Sequence, residues 1–445
     1  MITTPTLPAL PGLLGWLERT TERLAMMQHG SDGPTFFRGE FPMWLTGAVS
    51  RADHNYLSGY ALLHVALAAR CPDLPPHVAQ LLGTILRTAT DLPARYQSCP
   101  RSHGLRSVQE NNANNANNVD NVDNVDKASN TTSNWYSGRG SDLPAPARYP
   151  WPQGRILCLH DDYDDTAISV LLSQLGPFRL AVPASAALFL AAAYDPARDQ
   201  LAPKSIRRLH LTGMARDVYQ SWALPTSAPV LDLNTPQTNT HWLPDVNSVE
   251  LSTVANVFTA VHMLTGPGGA GDIDEKSLSL QCASRTFINA LTHIAVGKLL
   301  EGDASYLDFA SSYYPRVPFA PLAFLVHNHV LTSGALLDPS VVERIAQAVV
   351  AVDPHAGWRS HGFANAAYWL NCCAWCVAEG LLGLSQVHRS IEQVWAALCA
   401  QVAADGLWPD IVFFHAAHLG DYSGLPYAQA LMIETMAQLH AIGAT

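Results

Sequence analysis

The sequence predicts an all-α fold: an α/α toroid, a ring of helical hairpins, with a disordered Asn-rich insertion. Three observations predict it. Apolar residues recur at three- and four-residue steps along most of the chain, and the alternating pattern of half-buried strands is scarce. Five Trp-led segments each run through a short irregular stretch into polar residues that open an apolar helix. The stretch NNANNANNVDNVDNVD, inside 107–147, has neither pattern and too few apolar side chains to offset the entropy of ordering. The expected division is therefore 1–106 as N-terminal hairpins, 107–147 as insertion and 148–445 as the rest of the toroid.

The helical spacing covers Tyr56–Ala69, Thr166–Leu175, Val249–Leu264, Ser284–Leu300, Pro339–Val352, Ala364–Leu382, Ser390–Ala403 and Pro426–Leu439, with Gly and Pro clustered between them. Leu180–Tyr194, the most apolar stretch, reads as a buried helix. At about 15 residues, broken by Pro183, it is shorter than the roughly 20 that span a bilayer. The Trp-led segments start at Trp44, Trp151, Trp242, Trp358 and Trp408. IAQAVVAVDPHAGW and LCAQVAADGLW end on Trp358 and Trp408, 50 residues apart, which is the length of a hairpin with its loops. In a closed ring, inner helices start at one rim, and their polar first turns converge on a central cavity. Ordinary N-capping also favours Asp, Asn and Ser at such positions.

Composition narrows the function. The 445 residues are 48% hydrophobic and 14% charged, with a net charge of −11 and no Lys/Arg-rich run. A nucleic-acid groove, which depends on cations to neutralise phosphates, is excluded as a partner surface. The N-terminus lacks the basic and apolar regions of an export signal, so a cytoplasmic location is expected, with no membrane span. Peripheral contact with a membrane stays open. The eight cysteines then read as free thiols, and Cys372, Cys373 and Cys376 as helix-interior residues rather than a zinc or redox site.

The sharpest chemical signal is His160-Asp161-Asp162-Tyr163-Asp164-Asp165-Thr166-Ala167. Carboxylates this close do not all ionise cheaply when partly buried, so one or more holds a proton. They also open a helix, whose dipole favours the anion. The balance suits a general acid. Hard-oxygen binding of Ca²⁺ or Mg²⁺, or a helix cap, are the other readings.

Asp162-Tyr163-Asp164-Asp165-Thr166-Ala167 resembles the DxDDTA motif of class II terpene cyclases, the squalene–hopene cyclase type. Gln401-Val-Ala-Ala-Asp-Gly406-Leu-Trp408 is similar to the Gln/Gly-x-Trp repeats of that superfamily, with one extra residue. The resemblance implies helical barrels of the α/α type and an isomerase that starts isoprenoid cyclisation. Asp164 would protonate an alkene or epoxide. Asp162 and Asp165 would hold and polarise it, with His160 and Tyr163 as adjacent supporting candidates. The partner is a small-molecule prenyl substrate. No cofactor or resident metal is required, and Mg²⁺ enters only with a diphosphate. Aromatic faces would stabilise carbocations, each by about 0.5–2 kcal/mol. The expected lining is Trp44, Asn55, Trp242, Asn247, Trp358, Tyr368, Trp369, Phe414 and Tyr422.

A second polar stretch, Asp245 to Glu250 with Asn256, reads as a rim or an Mg²⁺ site, and Lys204, Arg207, Arg208 and Arg285 as counter-charges for a diphosphate. Two other functions fit the same architecture. One is a carbohydrate-active hydrolase or lyase using paired carboxylates. The other is a non-catalytic helical repeat that binds a lipid or a partner.

Overall fold

A computed structural model describes residues 10–32, 38–45, 51–52, 56–98, 156–157, 163–180, 185–197, 199–221, 241–242, 247–266, 274–310, 315–354, 362–416 and 420–443. Among them the fold is all-α. The helices are α1 (Leu13–Met27), α2 (Tyr56–Ala68), α3 (Pro76–Thr88), α4 (Leu92–Ser98), α5 (Tyr163–Leu175), α6 (Pro203–Thr212), α7 (Leu251–Thr265), α8 (Glu275–Leu300), α9 (Tyr306–Ala310), α10 (Phe319–Leu331), α11 (Pro339–Ala351), α12 (Gly362–Ala378), α13 (Leu384–Cys399) and α14 (Leu425–Ala441). The expected insertion at 107–147 lies outside the described residues.

Two kinds of helix are present, and their sequences explain the difference. In α5, α7, α10, α12 and α14 burial runs nearly all the way round; in α14 every residue from Pro426 to Leu439 is buried. Such helices must be enclosed by others. In α1, α3, α11 and α13 burial is confined to one stripe, as with Val387, Ile391, Val394, Trp395 and Leu398 of α13. These are cover helices. The enclosed helices, with α2, pack in a cycle: α2 on α5, α5 on α7, α7 on α10, α10 on α12, α12 on α14, and α14 back on α2. The cover helices α1 and α3, α8, α11 and α13 pack on α14, α2, α7 and α12 from outside that cycle.

Short strands sit ahead of the enclosed helices. β1 (Met43–Leu45), β2 (Arg51–Ala52), β5 (Val412–Ala416) and β6 (Gly420–Ser423) form an antiparallel sheet in the order β2-β1-β6-β5. β3 (Ile156–Leu157) and β4 (His241–Trp242) pair in parallel, Leu157 with Trp242. The sheet joins the segments leading into α2 and α14, and the parallel pair joins those leading into α5 and α7. Inner helices thus begin side by side.

Two expectations need correction. Within Leu180–Tyr194 the described helical part is a 3-10 segment over Ala186–Ala192, shorter than the expected helix and too short to bury a continuous face. Glu250 is not a rim group, and Arg208 is not placed as a counter-charge for a diphosphate. They form a buried ion pair at 2.8 Å, and Arg208 also donates to the carbonyls of Val249 and Asp308.

Trp408 is a structural pin. Its indole N–H donates to Thr20 Oγ1 at 3.0 Å, its backbone is bonded on both sides by the Gln429 amide, and Trp16, Trp395 and Phe363 surround it. The Gln401 side chain, just past the end of α13, instead donates back to the Ala397 carbonyl of that helix.

Gly39 holds the turn after α1. Its φ is +96°, and an added Cβ would lie 2.6 Å from the Ala89 Cα. Gly39→Ala combines left-handed strain with a backbone clash, and is expected to cost about 2–3 kcal/mol of unfolding free energy in denaturant titration.

Candidate active site

Asp164 lies in the first turn of α5 and is only 3% exposed. The burial follows from the helix itself: with Ile168, Val170, Leu171 and Leu172 all enclosed, the first turn is enclosed too. Both carboxyl oxygens are engaged. Oδ1 accepts from Asn256 Nδ2 of α7 at 2.8 Å, and Oδ2 accepts from the Tyr60 hydroxyl of α2 at 2.5 Å. Asn256 is held in turn by Asn328 of α10, whose Nδ2 donates to Asn256 Oδ1 at 2.8 Å. Tyr60 is clasped between Phe324, edge-on at 5.9 Å, and Phe413 at 5.1 Å.

These effects oppose one another. Burial penalises a charged carboxylate. The two N–H and O–H donors, with the helix dipole, stabilise it.

A second polar group lies further along the same helices. His64, one turn beyond Tyr60 on α2, directs Nδ1 at Glu434 Oε2 of α14, and His327 of α10 directs Nε2 at Glu434 Oε1 at 2.9 Å. The Glu434 side chain is 0% exposed. Trp375 Nε1 and Asn371 Nδ2 also donate to Oε1, at 2.5 and 3.3 Å. Burial alone would raise the Glu434 carboxyl; the two imidazoles outweigh it and hold the group well below the usual carboxylate range. Burial pushes His64 down, with Glu434 opposing. Tyr427 and Tyr368 share a hydroxyl contact, and Tyr427 reaches His64 Nε2 at 3.3 Å.

α2 and α10 are not neighbours in the cycle, yet Tyr60 meets Phe324 and His64 meets His327, ring centroids 5.8 Å apart. These ring contacts join two helices that face each other across the cycle.

The other expected site residues separate clearly. Asp165 is buried beside Asp164 in the first turn. The Tyr163 ring packs against Phe189, and its backbone N–H donates to Ser221 O at 2.8 Å, so its described contacts are structural. Tyr368 joins the interior group through Tyr427. Trp369 faces outward: its indole donates to Val349 O of the cover helix α11 at 3.0 Å. It is therefore wall rather than lining. Asn247 is a buried staple between α6 and α7, bridging Gln200 and Ala202 through its backbone. Phe414 pairs with Tyr422 and Trp44 with Ser423 in the sheet, while Trp242 lies in β4; only their backbones are described. His160, Asp162, Asn55 and Trp358 lie outside the described residues.

Three of the expected counter-charges for a diphosphate are paired with acids: Arg208 with Glu250, Arg285 with Asp338 at 2.6 Å, and Lys204 with Asp308 at 3.5 Å. The fourth, Arg207, lies over the Phe309 ring.

Sequence reasoning missed Tyr60, His64, His327, Asn328 and Glu434. Each is a lone polar residue in an apolar helix, and in a helix enclosed on all sides such a residue must find a partner inside. That was the available signal. Among the described residues no helix is long and apolar enough to cross a membrane. Neither a protein-family model nor a curated protein matches the chain.

Proposed function

We propose that the chain is a class II terpene cyclase-like enzyme, built as an α/α toroid, in which Asp164 starts cyclisation of a polyprenyl substrate by protonating its terminal alkene or epoxide. The observation that carries this reading is the buried Asp164 carboxyl, gripped on both oxygens by donors from two other helices.

The substrate enters from the rim where α2, α5, α7 and α14 begin, and comes to rest against the rings of Tyr60, Phe324, His64 and His327. Protonated Asp164 transfers its hydrogen to the terminal alkene carbon, or to the epoxide oxygen. The electron pair of the alkene or C–O bond leaves a tertiary cation, which the next double bond attacks. Asp164 is left as a carboxylate, stabilised by Tyr60 and Asn256. Loss of a proton from the last cation ends the sequence, and solvent restores the acid. The faces of Tyr60, Phe324, Phe413 and Tyr427 suit the passing cations. Dry enclosure and a fixed substrate fold supply the remainder.

The ion pairs of Arg208, Arg285 and Lys204 favour recognition through the hydrocarbon rather than through a diphosphate, and so no cofactor; Mg²⁺ would be needed only with a diphosphate substrate. The unpaired thiols of Cys71, Cys372, Cys373 and Cys376 suit a reducing cytoplasm. Glu434, the other interior carboxylate, has both oxygens occupied by N–H groups and is poorly placed to be the second acid of a glycosidase.

Tyr60→Phe removes one donor from the Asp164 carboxylate and leaves the ring stack intact. A hydrogen bond to a charged group is worth about 1.5–3 kcal/mol, so kcat should fall about 10- to 150-fold with little change in melting temperature. The function itself is tested by incubating the protein with C15 to C30 polyprenyl alcohols, diphosphates and terminal epoxides and analysing the products by mass spectrometry. A cyclic product supports the reading; no turnover of any of them overturns it.

A further inference from the structure

We propose that His64, His327 and Glu434 form a binding site for one divalent transition-metal ion, separate from the acid at Asp164. One imidazole nitrogen from α2, one from α10 and a carboxylate oxygen from α14 lie within 4.8 Å of one another, all buried. Zn²⁺ bound tetrahedrally at about 2.0–2.2 Å from each ligand atom sets those atoms roughly 3.3–3.6 Å apart, so His327 Nε2 and Glu434 Oε1, now 2.9 Å apart, open by about half an ångström as the ion replaces the proton between them. Two imidazoles and a carboxylate suit Zn²⁺, Fe²⁺ or Co²⁺ and are a poor set for Ca²⁺ or Mg²⁺, which take oxygen ligands.

His64 and Glu434 have the outer partners that a metal site needs, whereas His327 is steered only at Nε2, by Asn371 Oδ1 at 2.8 Å, and its buried Nδ1 has no hydrogen-bond partner. A ligating histidine orients itself by hydrogen-bonding its other ring nitrogen. With Nδ1 on the metal, His64 carries its proton on Nε2, which faces the Tyr427 hydroxyl at 3.3 Å. Asn371 Nδ2 and the Trp375 indole N–H fix the ligating carboxylate through Oε1. The carboxylate reduces the net charge that the dry interior must hold. Entry of the ion displaces the imidazole protons that face Glu434; each moves to the far ring nitrogen or leaves to solvent, and no oxidation is involved.

The experiment uses the full-length protein stripped with a chelator. Co²⁺ titration should show one equivalent per chain, a visible d–d band without sulfur charge transfer, and displacement by Zn²⁺. Glu434→Gln and His64→Asn, confirmed as folded by circular dichroism, should lose the band. Asn371→Ala should weaken binding about 10- to 100-fold. Should the ligand variants fail to fold, X-ray absorption on the cobalt-loaded parent decides, with imidazole and oxygen scatterers expected. The proposal is overturned if the parent takes up no tight equivalent, if folded ligand variants bind Co²⁺ as well as the parent, or if the spectrum reports thiolates. None of these readouts depends on cyclase activity.

Discussion

Asp164→Asn is expected to give a folded protein whose turnover of a polyprenyl substrate has fallen by about 10²–10⁴-fold, the range a positioned general acid contributes. The substitution keeps size and hydrogen bonding. Its carbonyl still accepts from Asn256, and its amide can donate to the Tyr60 hydroxyl oxygen, so the three helices meeting at this point stay tied. What is lost is the acidic proton. Asp165→Asn, one position along the same turn, should lose less, since its part is to support the acid rather than to deliver hydrogen. Equal melting curves with unequal kcat would separate chemistry from folding. A parent-like kcat in Asp164→Asn would remove the residue from the reaction.

Arg208→Met carries the largest stability effect. Arg208 is 1% exposed and holds three groups at once: Glu250 Oε1 at 2.8 Å, Val249 O at 3.2 Å and Asp308 O at 2.8 Å. It thereby joins the approach to α7 to helix α9. Met fills much of the same space but leaves Glu250 buried without its cation. Breaking a buried pair from one side costs about 3–5 kcal/mol, far more than an exposed pair is worth. Arg208→Met with Glu250→Met should recover most of that loss, because the penalty is an uncompensated charge rather than a missing attraction. Urea midpoints measure both. A single variant within 1 kcal/mol of the parent would show that Glu250 finds water or another donor.

Much of the helix content was legible because enclosure leaves a mark on the sequence. Pro339–Ala351 and Leu425–Ala441 lie within two residues of the spans that spacing predicts. Asp164 was singled out for a different reason: four carboxylates within five positions of sequence are hard to explain by capping. What escaped was the sixth inner helix, Phe319–Leu331, which no described Trp-led segment announces, and with it His327 and Asn328. Polar partners in an enclosed helix bundle are chosen by depth, and depth depends on where each helix starts relative to its neighbours. Glu434 meets His64 across 370 residues of chain, a pairing that no spacing rule encodes. The same reasoning explains Trp369. Its neighbour Tyr368 joins the interior group while it turns out to Val349, and a helix buried on all sides gives no hint of which aromatic faces in.

The claim that cyclisation begins with a hydrogen from a buried carboxyl is tested most directly by isotope. Run in D₂O, the reaction should place one deuterium in each product molecule, on the terminal carbon that was protonated, or on the hydroxyl and lost to exchange if the substrate is an epoxide. Carbon-bound deuterium at that position from an alkene substrate is the predicted result. A cyclic product free of carbon-bound deuterium, formed with release of diphosphate, would mean that ionisation rather than protonation starts the reaction, and would contradict the role given to Asp164.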